Sequence, residues 1–451
     1  MSVAMKATRL PVPERLKGFD EVERGLHPVQ VTLEVNRCLL CEDAPCSQAC
    51  PAGIDVRGFI RKMRFQDYRG AVRLVREANI FAGVCGRVCP ADTLCEGACR
   101  NEALTDPIRI AALHRFLADW EMSVGRRPLA LPPATLQPVA VVGAGPAGLA
   151  AAAMLRQFGH PVMVLEAQDR AGGALVSSIP PFKLPRAVVA YEIDLVRDMG
   201  VEIRCGVPLN GGVNLADLLS QGYGAVLLAV GVQQALTLGL PGEELEGVYT
   251  ALDVLRAAGG LSTGRPVTIG REVVVIGGGS ASLNAACCAL RMGAEVVNVT
   301  AIGTPAEMDA FEKDKQQALE EGIFFTSRMR PLRILGENGR VVGLEGIRTT
   351  WKVPGRFTPD NMKDIPGTRL IMPADTVIIA VGQRVEENFL KCVGGLKTTP
   401  NGCLVVDPET GATSQEGIFA AGDILGGRRT VVQSVAEGKR AAQSIHQYLA
   451  R

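Results

Sequence analysis

Apolar residues recur at helical spacing in the first quarter of the chain, where Val56, Phe59, Ile60 and Met63 share a face and Val72 and Val75 extend the stripe toward Ile80. A further helical stretch runs from Ile108 to Trp120. Two cysteine-rich segments bracket the first stripe, so residues 1–125 read as one small helical unit stapled by metal. The Pro-rich segment RRPLALPPATLQP, residues 126–138, cannot continue a helix and reads as a linker. Past it, β-branched strands alternate with Ala-rich helices. VAVVGAGPAGLAAAAMLRQFGHPVMVLEA (139–167) reads as strand, glycine-rich turn, helix, strand, and EVVVIGGGSASLNAACCALRMGAEVVNVT (272–300) repeats the plan. Two short apolar strands, AVLLAVG (225–231) and TVIIAVG (376–382), end in the same small-residue turn.

In the first βαβ unit Gly143, Gly145 and Gly148 satisfy G-x-G-x-x-G between strand and helix. The first glycine permits the tight turn, the second lets backbone approach a pyrophosphate, and the third lets the helix pack on the strand. Glu166 closes the second strand, where a carboxylate can accept from ribose hydroxyls. The second unit offers Gly277, Gly279 and Ser282. Counting the distance from Gly143 to Glu166 lands on Thr300, followed by Ala301 and Ile302, with neither acid nor arginine. That favours NAD over NADP, because a 2′-phosphate ordinarily meets a basic group there; loss of nicotinamide binding is the alternative. The expected architecture is α+β and multidomain: the helical unit, then an FAD domain from 139–250 and 370–451, with a Rossmann-like NAD(P) domain, 251–369, inserted.

The length fits about three domains, and 47% hydrophobic against 21% charged residues leaves ample core. Lys+Arg 48 against Asp+Glu 47 gives a net charge of +1, so no global field favours nucleic acid or an anionic membrane. The longest uncharged apolar run, Val139 to Leu155, carries three glycines and Pro146 and reads as buried strand and helix. The first residues have no apolar core of a secretory signal, so a cytoplasmic location is expected.

Thirteen cysteines in such a chain point to metal or redox chemistry. Eight lie between Cys38 and Cys99: C-x2-C-x4-C-x3-C-P through Cys38, Cys41, Cys46 and Cys50, then Cys85, Cys89, Cys95 and Cys99. Groups of this kind suit iron–sulfur clusters, and a fourth cysteine followed by proline often ligates the other cluster of a pair. Structural zinc is the alternative. Adjacent Cys287 and Cys288 point about 100° apart on a helix and read as small buried residues.

RCLLCEDAPCSQACP, FAGVCGRVCPADTLCEGAC, VAVVGAGPAGL, IPPFKLP and IFAAGDILGGRRTVVQSVAEGKRAA together resemble the NAD-dependent dihydropyrimidine dehydrogenase small-subunit family. They also resemble the N-terminal half of fused dihydropyrimidine dehydrogenase and, less closely, the glutamate synthase small subunit. The resemblance implies a disulfide-reductase-like flavoprotein with two [4Fe–4S] clusters. One would take Cys38, Cys41, Cys46 and Cys99; the other Cys50, Cys89, Cys95 and His114, with Cys85 the rival for the last place. For FAD it implies Gly143, Ala144, Gly145, Pro146, Ala147, Gly148, Glu166, Gly173, Lys183, Leu209, Gly422, Asp423, Thr430, Val431 and Val432. For the nicotinamide it implies Gly278, Gly279, Ser280, Ala281 and Gly382, although relatives commonly read GGGDxAxD where this chain has Ser280 and Asn284.

The function so implied is electron input: hydride from NADH to FAD, then single electrons through two clusters to a partner subunit carrying FMN and Fe–S clusters, which reduces uracil or thymine. A subunit feeding glutamate synthase or another reductase is one alternative. A non-enzymatic flavoprotein with a degenerate nicotinamide site is the other.

Overall fold

The computed structural model describes residues 4–125, 129–209, 215–262, 264–427 and 430–450. Residues 126–128 of the expected linker and the two arginines at 428–429 lie outside the described residues. Helices Pro28–Arg37, Val56–Arg64, Tyr68–Ala78, Ala82–Val88 and Ile110–Val124 build the N-terminal unit. Asp55 and Asp67 start two of them, their side chains accepting from the backbone N–H of Gly58 at 2.8 Å and of Gly70 at 2.9 Å. The stripe is buried as its spacing requires: Val56, Phe59, Ile60, Met63 and Val75 are each at most 2% exposed.

Two parallel five-stranded sheets follow. The first runs Ile418–Ala420, Ala225–Leu228, Val139–Val142, Val162–Leu165, Glu202–Arg204. The second runs Val248–Thr250, Thr376–Ile379, Glu272–Ile276, Val296–Ala301, Phe324–Ser327. Strands Val248–Thr250 and Thr376–Ile379, expected in the flavin domain, therefore belong to the nicotinamide sheet, and the crossings fall on either side of the boundaries expected at 250 and 370. The crossing segments meet as a two-stranded antiparallel ribbon, Gln234–Ala235 with Gln383–Arg384. Met329–Glu337, Arg340–Trp351 and Met362–Pro373 add a three-stranded antiparallel sheet that the periodicity reading left undivided.

The leader touches all three units: Met5 N–H donates to Glu34 at 2.9 Å and Glu21 pairs with Arg87 and Arg115 at 2.8 and 2.9 Å in the cysteine unit, Val22 N–H donates to Phe182 O at 2.9 Å, and Arg9 and Arg15 pair with Glu320 of the second dinucleotide domain at 2.8 and 2.7 Å.

Buried charge joins the cysteine unit to the flavin domain. Glu192, on helix Arg186–Asp198, accepts from Gly83 N–H at 2.5 Å and Val84 N–H at 3.0 Å, at the start of helix Ala82–Val88. Arg76 pairs with Glu192 at 2.5 Å and with Glu121 at 2.7 Å, and all three side chains are at most 7% exposed. Burial works against the Arg76 charge, but the two carboxylates more than offset it and hold its pKa above the ordinary arginine value.

Removing one member of such a network leaves an incompletely compensated buried charge. Glu192→Ala is expected to destabilise the chain by about 3–5 kcal/mol, read from urea unfolding of the purified protein. A change no larger than the roughly 1 kcal/mol of an exposed pair would show that this contact does not hold the junction.

Candidate functional site

Each glycine of the first loop solves a separate packing problem. Gly143 has φ +106° and lies against the Ala229 carbonyl, where a side chain has no room. Gly148 lies so close to the Gly143 carbonyl that no Cβ fits between helix Pro146–Phe158 and the strand before it. Around Gly145 there is space, the nearest atom to an added Cβ being Gly173 Cα at 3.9 Å. That space is the floor of a cleft of about 780 Å³. The helix starting at Pro146 has no side-chain cap, so its first N–H groups and its dipole point at whatever anion enters.

Glu166 sits at the cleft edge with one oxygen accepting from Ala144 N–H at 2.8 Å and the other from Gln168 N–H at 2.9 Å. Burial pushes its carboxyl pKa up, and those backbone donors oppose the shift. On the far side Gly422, Asp423, Thr430 and Val431 line the same cleft. Ser434 Oγ donates to Asp423 at 3.1 Å, and Gly422 N–H to Glu437 at 3.0 Å. Ser434 and Glu437 follow Thr430 at helical spacing on Val431–Leu449; the sequence reading missed both. Gly438, two turns into that helix, lies directly on the Ala147 carbonyl and packs it against the start of helix Pro146–Phe158.

Gly143, Gly145, Pro146, Ala147, Glu166, Gly173, Leu209, Gly382, Gly422, Asp423, Thr430 and Val431 thus share the cleft, and Ala281 reaches it from the second domain. Ala144, Gly148 and Val432 are buried behind it. Lys183 is not in its lining: it is ion-paired with Asp314 across the two dinucleotide domains.

The second loop repeats the first. Gly277, φ +147°, lies against the Ala380 carbonyl as Gly143 does against Ala229. Ser282, fully buried, fills the third glycine's place by donating to Gly279 O at 2.6 Å. Gly278 and Ser280 face a covering segment: Ala310 N–H donates to Gly278 O at 3.2 Å and Phe311 N–H to Ser280 Oγ at 3.1 Å. A Cβ added at Gly279 would meet nothing within 4 Å. The residue matching Glu166 is Ala301, one beyond the count. Gly143 N–H bonds to Leu165 O, but Gly277 N–H bonds to Thr300 O, because the second unit is one residue longer. Thr300 is fully buried and donates to Thr326 O at 3.2 Å. Arg328, the nearby cation, is paired with Glu307 at 2.8 Å.

Cys38, Cys41, Cys46 and Cys99 line one small cavity. The loop between them turns through two left-handed non-glycine residues, Leu40 (φ +52°) and Ala44 (φ +40°), the kind of backbone strain found at ligand clamps. Arg64 donates to Cys38 O at 2.6 Å and Arg57 to Glu42 O at 2.9 Å, tying the loop to helix Val56–Arg64. Burial, then the neighbouring Cys38 and Cys99, pushes the Cys46 thiol up to about 11.

Cys50, Cys85, Cys89 and Cys95 form the second group: burial raises the Cys89 thiol first, then Cys85, Cys95 and Cys50. Thiols packed so ionise only beside compensating positive charge, which a bound metal centre supplies. Among the described residues no three His, Cys, Asp or Glu side chains converge closely enough for a single ion, so the grouping rests on the cavity and on these mutual effects. His114 is 6% exposed, with Nε2 buried and without a hydrogen-bond partner. Burial, then the Arg76 charge, lowers its pKa to about 3, leaving the neutral imidazole a ligand must be. Cys85 is buried too, and Asn79 Nδ2 donates to its sulfur at 3.3 Å. Cys287 and Cys288 are buried at 2% and 0% exposure.

Comparison with known families agrees with this division. Residues 15–126 match the model for dihydropyrimidine dehydrogenase domain II, 4Fe-4S cluster, and residues 137–438 that for pyridine nucleotide-disulphide oxidoreductase. The class is thereby defined: an NAD(P)H-dependent oxidoreductase subunit that holds flavin and an iron–sulfur centre, not a non-enzymatic scaffold. The chain is 35% identical to the NAD-dependent dihydropyrimidine dehydrogenase subunit PreT of Salmonella typhimurium, covering 96% of this chain and 97% of that one. It is 35% identical to the NADP(+)-dependent formate dehydrogenase subunit beta of Moorella thermoacetica, spanning 60% of that relative's length. The glutamate synthase [NADPH] small chain of Escherichia coli is 32% identical over 97% of this chain and 96% of its own. The chain belongs to the family of iron–sulfur flavoprotein subunits that contains PreT and the glutamate synthase small chains. Mycobacterium tuberculosis FprA shares the fold of the flavoprotein part, with TM-score 0.58 and 18% identity over 71% of this chain and 85% of its own. No helix among the described residues is long and apolar enough to cross a membrane.

The glycine geometry separates two substitutions. Gly148→Ala forces helix from strand and is expected to lower stability by about 1–3 kcal/mol as well as flavin content. Gly145→Ala fits the protein without flavin and is expected to leave its melting temperature unchanged while weakening FAD binding at least tenfold, measured by flavin titration of the deflavinated chain.

Proposed function

We propose that this chain is the electron-input subunit of an NAD-dependent dihydropyrimidine dehydrogenase. In this reading it takes hydride from NADH onto FAD and passes single electrons through two [4Fe–4S] clusters to a partner catalytic subunit. That partner carries FMN and further Fe–S clusters and reduces uracil or thymine, and both act in the cytoplasm. Flavin, when bound, supplies the conversion between two-electron hydride chemistry and one-electron centres. The helix N-termini at Pro146 and Thr430 bind and orient it, Glu166 and Asp423 stand ready for its hydroxyls, and the apolar walls exclude water.

The observation that carries the reading is one cleft reached by both dinucleotide loops, Gly145 from one domain and Ala281 from the other, in a chain that also gathers Cys38, Cys41, Cys46 and Cys99 around one small cavity. Preference for NADH rests on Ala301 at the position of Glu166 and on Arg328 being engaged by Glu307. A second reading, input to another reductase, is favoured by the equal identity to the formate dehydrogenase subunit.

For the second cluster the proposed ligands are Cys50, Cys89, Cys95 and His114, supported at His114 by its unpartnered Nε2. Cys85 is the rival, because its thiol shares electrostatic surroundings with Cys50 and Cys89.

The isolated chain is expected to oxidise NADH with an artificial acceptor and to leave uracil untouched; uracil consumption by the chain alone overturns the subunit assignment. Its kcat/KM for NADH should exceed that for NADPH by about tenfold or more, the worth of one missing charge-assisted contact of roughly 1.4 kcal/mol. Equal efficiency with NADPH counts against the preference. Replacing His114 and Cys85 separately with Ala, then measuring iron content and cluster EPR signals, decides the ligand: loss of one cluster signal is expected in His114→Ala only, and loss in Cys85→Ala only reverses the assignment.

A further inference from the structure

One half-buried cation is shared between the flavin cleft's helix and the second cysteine group. Lys439 lies on Val431–Leu449, the helix whose first residues line the cleft. Its Nζ donates to Ala52 O at 2.6 Å and to Ala78 O at 2.5 Å, both in the cysteine unit. Ala52 follows Cys50 by two residues. Ala78 precedes Asn79, whose Nδ2 donates to Cys85 Sγ at 3.3 Å and whose Oδ1 accepts from Phe81 N–H at 2.9 Å. The ammonium is half-buried and within electrostatic reach of the Cys50 sulfur. From Thr430 at the cleft to Lys439 the helix rises about 1.5 Å per residue, or roughly 13 Å, and its contact with Ala147 at Gly438 fixes it against the first glycine-loop helix.

We propose that Lys439 is a positioning residue for electron transfer. It fixes the second cysteine group at one helix length from the flavin and places a positive charge beside the cluster bound there. No apolar residue could do both. A lysine ammonium has three donors for carbonyls that the domain junction removes from water, and its charge favours the reduced, more negative state of a neighbouring cluster. The inference rests on the proposed two-cluster reading, so the iron and sulfide content of the unmodified chain is measured first. Content short of two [4Fe–4S] clusters overturns that reading whatever Lys439 does.

The test compares Lys439→Met, Lys439→Gln and Lys439→Arg in the full chain. In Lys439→Met, FAD content and the rate of flavin reduction by NADH should stay as in the unmodified protein. The second cluster's midpoint potential, from EPR-monitored titration, should fall, and cluster reduction after flavin reduction should slow severalfold. Lys439→Arg should restore both. If Lys439→Met loses iron, Lys439→Gln carries the comparison, because its amide keeps a donor without the charge. Unchanged potential and unchanged cluster-reduction rate in an iron-replete Met or Gln variant overturn the proposal, as does an iron loss that Lys439→Arg does not repair.

Discussion

The carboxylate of Glu192, buried where the cysteine unit meets the flavin domain, constrains most of the molecule's geometry. An apolar junction could slide, because hydrophobic burial has no direction. A carboxylate bonded to two named N–H groups and to Arg76 permits one register. Those N–H groups open the helix that carries Cys85 and ends at Cys89, so the register of the junction is also the position of the second cysteine group. Arg76 extends the constraint to Glu121, on the helix that carries His114. Ion pairs this deep contribute little net stability compared with good apolar packing. Their presence here is better explained by fixed placement than by stability.

The two dinucleotide loops show how little sequence the fold needs in order to repeat itself. Gly143 under the Ala229 carbonyl and Gly277 under the Ala380 carbonyl are the same solution to the same crowding, with the carbonyl supplied each time by the strand ending in Ala-Val-Gly. The chain leaves one domain after the first such strand and returns after the second, and the ribbon of Gln234–Ala235 on Gln383–Arg384 ties the crossings together. Leu236 N–H closes it on Gly382 O at 3.0 Å. A cleft reached from both domains follows from that connection.

Local features were legible in the sequence wherever a short spacing carries the physics. The glycine loops, Glu166 and the helical stripe appear where spacing places them, whereas Cys99 shares its cavity with Cys38, Cys41 and Cys46 across sixty residues and not with its sequence neighbours. Sheet membership was not legible: Ala225–Leu228 and Thr376–Ile379 are both fully buried central strands with no alternation to assign them. Nor was the single extra residue that moves the strand-end position from Thr300 to Ala301. One missed signal was present, the Asn338-Gly339 turn, whose φ values of +50° and +80° close the hairpin between Met329–Glu337 and Arg340–Trp351. The partners of Lys183, Glu192 and Lys439 could not be read, because each lies more than a hundred residues away, and Lys183, expected at the flavin, is held by Asp314 instead.

The polarity of the domain junction is consistent with a single task. On one side the flavin domain offers a carboxylate to N–H groups, through Glu192; on the other it offers an ammonium to carbonyls, through Lys439. Backbone groups of the cysteine unit that lie at the junction each meet their opposite charge, so neither unit can rotate on the other without leaving buried polar groups unpaired. The first cysteine group is held differently. Its carbonyls are tied by Arg57 and Arg64 from within the same unit, and Leu39 beside it is 49% exposed. The flavin domain therefore grips the second group, while the first is held from within its own unit, an asymmetry that fits the path proposed above for electrons leaving the cleft.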